Sequence, residues 1–118
     1  AQTRKLYTDG QRLLQAQKWT EAKAPFTKLL EVKRERPRAM AGLARIAFET
    51  GQYGEAARWA RQSVTTGGGP EARLLLGDAL FKQEKFADAA QVYADALKAS
   101  PNDAALKRKL ELAQRKSR

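Results

Sequence analysis

The side chains of this 118-residue chain that could do chemistry are carboxylates and cations, because the sequence has no histidine and no cysteine. The commonest general base and metal ligand is therefore absent, and so are disulfides, thiolate nucleophiles and sulfur-ligated metals. Lysines and acids remain, but no glycine-rich phosphate loop or nucleophile elbow accompanies them. We therefore expect a protein that is not an enzyme and that holds no metal or cofactor.

Binding is the function that these side chains can still perform, and a fold has to position them for it. The signal for that fold is a set of residues that recur along the chain at spacings of 33 or 34. Four columns of residues share this spacing. Small residues in such columns let one helix approach another closely, and large ones fill the space around the contact. The columns are Gly10, Ala44 and Gly77; Leu13, Ala47 and Leu80; Ala22, Ala56 and Ala89; and the aromatic set Trp19, Tyr53 and Phe86.

The clearest copy of this pattern runs from Leu74 to Pro101 as two short amphipathic helices joined by a polar turn, and it resembles a tetratricopeptide repeat. The resemblance implies an all-α fold, an α-solenoid of seven helices stacked as a right-handed superhelix. Residues 1–118 would form one domain with repeats at about 3–36, 37–69 and 70–103. A capping helix would follow at about 103–116.

Within this scheme the apolar periodicity predicts a first helix over about Thr3–Ala16, with Leu6, Leu13 and Ala16 facing inward. The second helix should start near Trp19 or Thr20, bury Leu30 and continue past it into the charged run that ends at Arg36. Pro25 should kink this helix unless it lies in the first turn, because proline cannot donate a backbone hydrogen bond.

We make a further prediction for the glycine-rich junction and for the last helix. Gly67, Gly68 and Gly69 form a possible hinge between the second and third repeats, since glycine has no preferred backbone geometry. Asn102 or Asp103 can cap the last helix. That helix should cover the end of the stack with Leu106, Leu110 and Ala113, and stay soluble through Lys107, Arg108, Lys109, Arg115 and Lys116.

The net charge of +10 is unevenly distributed, being +5 over residues 1–36, +2 over 37–69, −2 over 70–103 and +5 over 104–118. A basic chain can bind nucleic acid, but the cations concentrate at the two ends, and no aromatic-interleaved basic groove is present. We therefore favour a solvated basic surface or an acidic protein partner over nucleic acid.

The sequence contains fewer indications of the protein's membrane association, source and compartment. No apolar run approaches the roughly 18 residues of a membrane span, so we expect no transmembrane segment. The chain begins at Ala1 without an initiator methionine, which favours a domain of a longer protein. Its Ala-, Arg- and Gln-rich composition suggests a bacterial source, and a lack of cysteine is compatible with cytoplasm and periplasm alike. The oligomeric state is not predicted.

The resemblance also implies a binding surface, because in this family the first helix of each pair lines the concave side and grips a peptide or a helix of a partner. Three columns of this surface are aligned across the repeats, and a fourth forms its rim. The residues are Tyr7, Ala41 and Leu74; Gln11, Arg45 and Asp78; Leu14, Phe48 and Phe81; and, at the rim, Gln15, Glu49 and Lys82.

Members that bind chaperones clamp a C-terminal carboxylate with five polar and basic residues. The equivalent positions here are Tyr7, Gln11, Gly42, Glu71 and Leu75, and none of them is a cation. The resemblance thus implies a non-catalytic protein-interaction module that does not clamp a carboxylate in this way, and that takes a partner with spaced apolar anchors. The alternatives are nucleic-acid binding through the basic ends and a structural role as a spacer or self-association unit.

Overall fold

The computed structural model describes residues 2–118, which form seven α-helices and one short 3₁₀ turn, without a strand. The α-helices are α1 (Gln2–Gln15), α2 (Trp19–Leu29), α3 (Arg36–Glu49), α4 (Tyr53–Thr65), α5 (Pro70–Lys82), α6 (Phe86–Ala99) and α7 (Ala104–Lys116), and the 3₁₀ turn is Lys33–Glu35. None of the helices in this range has the length and apolar character needed to cross a bilayer.

The helices pack as successive antiparallel neighbours, and the first helices of adjacent pairs, α1, α3 and α5, also contact one another. This arrangement is the all-α solenoid that the resemblance implied, with α7 packed on α6 at the end of the stack. The array is elongated, with principal extents of 47 × 26 × 21 Å. Buried apolar side chains form two clusters, one around α1 to α3 and one around α3 to α7.

Close helix contacts depend on glycines that face large rings. A Cβ atom added at Gly77 would lie 2.6 Å from the Tyr93 ring, so only glycine allows α5 and α6 to approach to this distance. Phe26 is completely buried between two such positions, because Cβ atoms at Gly10 and Gly42 would each lie within 3 Å of its ring. Side chains that interlock this tightly set the spacing of α1, α2 and α3.

Four helices end in the same turn, in which one residue adopts a left-handed backbone conformation, and its own amide and the next amide both donate to carbonyls of the last helical turn. The left-handed residues are Gly51 and Gly67, where glycine carries no steric cost, and Gln17 and Glu84, where a side chain is present. At Glu84, for example, the Lys85 amide donates to the Leu80 carbonyl at 2.9 Å.

The three-glycine junction between α4 and α5 is one of these turns. The Gly68 amide donates to the Ser63 carbonyl at 2.6 Å, and a Cβ at Gly68 would lie 2.2 Å from the Ser63 hydroxyl oxygen. That hydroxyl in turn donates to the Pro37 carbonyl at 2.7 Å, which ties the junction to α3. Gly68 therefore serves a close contact, and the proposed hinge motion stays a prediction.

The expectation that the second helix continues past Leu30 is wrong. α2 ends at Leu29, its last fully buried residue, and the chain turns extended at Val32 before the 3₁₀ turn leads into α3. The Arg36 side chain donates to the free Leu30 carbonyl at 2.9 Å and so satisfies the helix end. Leu30 itself is only half-buried, and Pro25 lies well inside α2, beyond the first turn.

The expectation for Ala16, at the end of the first helix, is also wrong. Ala16, predicted to face inward, is exposed because α1 ends at Gln15 and the chain turns away from the core. Asp9 lies on the outer side of α1 and is held there by Lys5 at 3.2 Å and Arg12 at 3.4 Å. The hydrogen bond from Lys5 is the main cause that keeps the pKa of Asp9 below its ordinary value.

The last helix is capped as expected, since the Asp103 carboxylate accepts from the Leu106 amide at 3.1 Å. Leu106 and Ala113 are buried against the rest of the stack, and Leu110 packs beside them. Lys109 differs from the solubilising role predicted for it. Its ammonium group lies 2.9 Å from the Asp78 carboxylate of α5, on the inner side of α7.

Candidate functional site

The row of first helices forms one face of the array, and α7 continues this row after α5. Two cavities open on this face. The N-terminal pocket has a volume of about 270 Å³ and is lined by Tyr7, Gln11, Leu14, Phe26, Pro37, Arg38, Ala41, Gly42, Arg45 and residues 67–72. The C-terminal pocket has a volume of about 410 Å³ and is lined by Phe48, Asp78, Phe81, Lys82, Tyr93, Lys109 and Leu112.

The structure distributes the twelve residues predicted from the resemblance over these two pockets. Tyr7, Gln11, Leu14, Ala41 and Arg45 lie in the N-terminal pocket, and Phe48, Asp78, Phe81 and Lys82 lie in the C-terminal pocket. Gln15, Glu49 and Leu74 line neither: Gln15 and Glu49 are exposed, whereas Leu74 is half-buried against the core. Leu14 is 9% exposed and offers a partner little more than the floor of its pocket.

In the N-terminal pocket the aromatic ring of Tyr7 is covered by a cation. The Arg38 guanidinium lies 3.7 Å from the ring centroid and also forms a salt bridge with Glu35. The Tyr7 hydroxyl accepts a hydrogen bond from the Gln11 amide at 2.8 Å. The Tyr7 ring is thus stacked on a guanidinium, and its hydroxyl already accepts a hydrogen bond. The pocket is therefore polar, and its polar groups are mostly paired with one another.

Arg45 joins two helices of the face. Its guanidinium lies 3.4 Å from the Glu49 carboxylate on the same helix and 3.9 Å from the Glu71 carboxylate at the start of α5. Its Nε atom is buried and makes no hydrogen bond within residues 2–118. The charge of Arg45 is therefore already balanced by two carboxylates, which limits what it can offer to an acidic partner.

The C-terminal pocket contains a polar network in its floor. Asp78 accepts from the Tyr93 hydroxyl at 2.6 Å and from the Lys109 ammonium at 2.9 Å, so that α5, α6 and α7 meet at one carboxylate. Burial, and then the hydrogen bond to Asp78, raises the pKa of Tyr93 well above its ordinary value. The phenol therefore stays protonated and keeps donating.

Apolar side chains form the walls of the same pocket. Phe48 packs edge-to-face on Tyr53 at a centroid distance of 5.3 Å, and Phe81 packs likewise on Phe86 at 5.0 Å. Both phenylalanines are half-buried. Leu112 of α7 completes the wall and, at 38%, is the most exposed large apolar side chain of residues 2–118. An apolar cavity with a few fixed polar groups is the usual form of a binding site.

Several residues that line these pockets were not predicted as site residues, among them Arg38, Lys109 and Leu112. Arg38 stands one repeat before Glu71, so the recurring columns contained a signal for it. Lys109 and Leu112 carried no such signal. Lys109 follows Asp78 by 31 residues and Leu112 follows Phe81 by 31, instead of the 33 or 34 that separate the repeats. The connection before α7 (residues 100–103) is as long as the one before α5 (residues 66–69), so the offset of 31 reflects which residues of α7 face α5 and not a difference in connection length.

The positions equivalent to the family's carboxylate clamp lie mainly in the N-terminal pocket. Tyr7, Gln11, Gly42 and Glu71 line it, and Leu75 is buried in the core. The cations of this pocket, Arg38 and Arg45, come from other positions and are paired with carboxylates. That the chain does not clamp a carboxylate in the family's manner stays a prediction.

Comparison with known proteins places this geometry in a family. The family model described as tetratricopeptide repeat matches residues 7–70 and 67–104. A search of curated proteins found no match to the chain.

Solved structures with the same architecture are numerous. The Sgt2 TPR domain from Aspergillus fumigatus is 25% identical over 97% of this chain and 78% of its own, with a TM-score of 0.85. The first TPR of Spaghetti bound to an HSP90 peptide is 20% identical over 97% and 91%, with a TM-score of 0.89. The Yersinia enterocolitica type III secretion chaperone SycD, in complex with a peptide of the translocator YopD, is 19% identical over 98% and 94%, with a TM-score of 0.86.

The helix pairs, the recurring columns and the family match over most of the chain agree with one another. This chain is a member of the tetratricopeptide repeat family.

Proposed function

We propose that this domain is a non-catalytic protein-interaction module that binds a peptide or a helix of a partner protein on the face formed by α1, α3, α5 and α7. The observation that carries the proposal is the C-terminal pocket, in which Phe48, Phe81 and Leu112 remain partly exposed around a cavity of about 410 Å³. Apolar side chains gathered at one cavity mark a binding site more often than scattered ones do.

The similar structures support the same kind of function. The Spaghetti domain holds an HSP90 peptide, and SycD holds a peptide of YopD. Those ligands belong to those proteins, and sequence identities this low support only a shared fold. The partner proposed for this chain therefore follows from its own pocket, which calls for an apolar anchor at the centre of the interface.

Nucleic acid is the weaker alternative on this geometry. The strongly basic segments, residues 1–36 and 104–118, lie in the first and last parts of an array 47 Å long, with the acidic segment 70–103 before the second of them. A phosphate backbone needs a continuous stripe of cations. Weak non-specific binding, at about 10⁻⁴ to 10⁻⁶ M, is expected of a chain this basic.

The proposal is tested on a partner captured by pull-down with residues 1–118. We expect Phe48→Ala to weaken binding by at least about 1 kcal/mol, because aromatic side chains at the centre of an interface dominate its energy. The matched controls are Arg58→Ala and Arg61→Ala, whose exposed side chains lie on α4.

Circular dichroism of each variant separates loss of binding from loss of folding. If Phe48→Ala unfolds the domain, Phe48 belongs to the core and cannot be the central residue of the proposed interface. If the Arg58 and Arg61 changes abolish binding while Phe48→Ala does not, the interface lies on the second helices. A sub-micromolar affinity for duplex DNA or single-stranded RNA at about 0.15 M salt would favour the nucleic-acid alternative.

A further inference from the structure

The capping helix α7 does more than cover the end of the stack, because it forms one wall of the C-terminal pocket. Lys109 and Leu112 project from α7 toward Phe48 and Phe81 and line the same cavity. A helix that only shielded the core would leave its polar side chains in solvent. Here Lys109 is bound to Asp78 across the pocket floor, and Leu112 adds apolar surface to the wall.

The cations around this pocket exceed the carboxylates. Asp78 is the carboxylate that lines it, and its charge is offset by Lys109 at 2.9 Å. Lys82 has no carboxylate within 4 Å among residues 2–118, and its ammonium lies 5.8 Å from the Tyr53 ring centroid. The ammonium group of Lys82 is thus an unbalanced cation in the lining of an apolar cavity.

We propose that the C-terminal pocket selects an acidic, amphipathic segment of a partner protein, with an apolar side chain between Phe48, Phe81 and Leu112 and a neighbouring Asp or Glu side chain on Lys82. This inference rests on the proposed function and specifies the chemistry of the partner. Charge complementarity supports it, because a carboxylate beside the apolar anchor balances the excess of positive charge at the rim.

The same cations could attract phosphate, but the rest of the pocket favours a protein segment. Single-stranded nucleic acid is held by aromatic faces on which bases stack. Phe48 and Phe81 are each engaged edge-to-face with a second ring and are half-buried. An apolar side chain can enter the cavity without an exposed aromatic face to stack on.

The test uses two fluorescein-labelled peptides and the full 118-residue chain. In the first peptide leucine and glutamate recur at helical spacing, and in the second every glutamate is replaced by glutamine. We expect fluorescence anisotropy at about 0.1 M salt to show roughly tenfold tighter binding of the glutamate peptide, which corresponds to about 1.4 kcal/mol. Replacing glutamate by glutamine keeps size and apolar pattern, so the difference reports charge.

Variants then locate the effect. Lys82→Gln should lower affinity for the glutamate peptide about fivefold and leave the glutamine peptide unchanged, as expected for a lost ion pair at an apolar rim. Lys107→Gln removes the same charge from an exposed lysine of α7 that does not line the pocket, and it should have little effect. Leu112→Ala should weaken both peptides, because it removes apolar surface and no charge.

Several results would overturn the inference. Equal affinities for the two peptides, or no binding of either, would show that the pocket does not select acidic segments. An equal loss on Lys107→Gln would reduce the effect to the overall charge of the chain. Displacement of the glutamate peptide by a short single-stranded oligonucleotide, but not by unlabelled peptide, would assign the site to nucleic acid. If a captured partner needs Phe48 but not Lys82, the proposed function stands and this inference fails.

Discussion

Replacing Gly42 with alanine tests the packing that sets the spacing of the first three helices. A Cβ at this position would lie 2.6 Å from two atoms of the Phe26 ring and 2.7 Å from a third. The ring has little room to move aside, because Gly10 of α1 also lies against it, so that a Cβ there would be 2.7–3.0 Å from three ring atoms, and because the side chain is completely buried. We therefore expect Gly42→Ala to destabilise the fold.

Two opposing effects set the magnitude. Replacing glycine by alanine inside a helix stabilises it by about 1 kcal/mol. Forcing a methyl group into a packed core costs about 1–3 kcal/mol, and a ring held from both sides places this site near the upper end. The net loss is then about 1.5–2 kcal/mol. For 118 residues the entropy of unfolding is about 0.25 kcal/mol/K, so the melting temperature should fall by about 6–8 °C.

The assay is thermal and urea denaturation followed by far-UV circular dichroism. Gly54→Ala is the control, because the nearest heavy atom to a Cβ there is a Gln83 side-chain oxygen at 3.7 Å, and this change should be neutral or slightly stabilising. Combining Gly42→Ala with Phe26→Leu should recover part of the loss, with a coupling of about 1 kcal/mol. A Gly42→Ala variant as stable as the Gly54→Ala variant, or additive losses in the double variant, would refute the reasoning.

Three other predictions concern stability. Ala89→Leu should cost about 1–3 kcal/mol because Ala89 is fully buried between helices, whereas Ala104→Leu on the exposed start of α7 should cost little; equal urea midpoints would contradict the repeat register. Glu84→Gly should stabilise the fold by about 0.5–1 kcal/mol, since glycine removes the strain of a φ of 63° at this turn, and a lower urea midpoint would argue against it. Because its pKa is raised in the folded state, Tyr93 contributes stability that is fully present below about pH 10 and is lost at higher pH. Urea midpoints followed by circular dichroism should therefore fall as the pH rises in this range, and Tyr93→Phe should make unfolding less dependent on pH; an equal pH dependence of the two proteins would disprove this.

The repeat architecture could be predicted from the sequence because its determinants recur. Gly10 and Gly77 stand at equivalent positions and meet Phe26 and Tyr93, which are themselves equivalent. Each contact forms within one helix pair, so its spacing is repeated whenever the pair is repeated. For the same reason the first helices, and with them the residues proposed for binding, could be aligned before any coordinates were known.

Other features are not repeated, and only the tertiary structure reveals them. Gly42 meets Phe26 of the preceding repeat, a contact without a counterpart in the columns. α2 ends earlier than its charge pattern suggested, because the chain has to turn back into α3 and the Arg36 side chain satisfies the freed carbonyl.

The sequence also contained no sign that the binding face is divided into two pockets. The resemblance implied a binding surface along the first helices, whereas the structure has two pockets of different character, one polar and paired, the other apolar with the unpaired Lys82 in its lining. The second depends on Lys109 and Leu112, which follow Asp78 and Phe81 by 31 residues and so fall outside the 33- or 34-residue spacing of the repeats. Periodicity determines contacts that recur within each helix pair; contacts between elements outside the repeat depend on how the whole chain packs, and only the folded structure decides them.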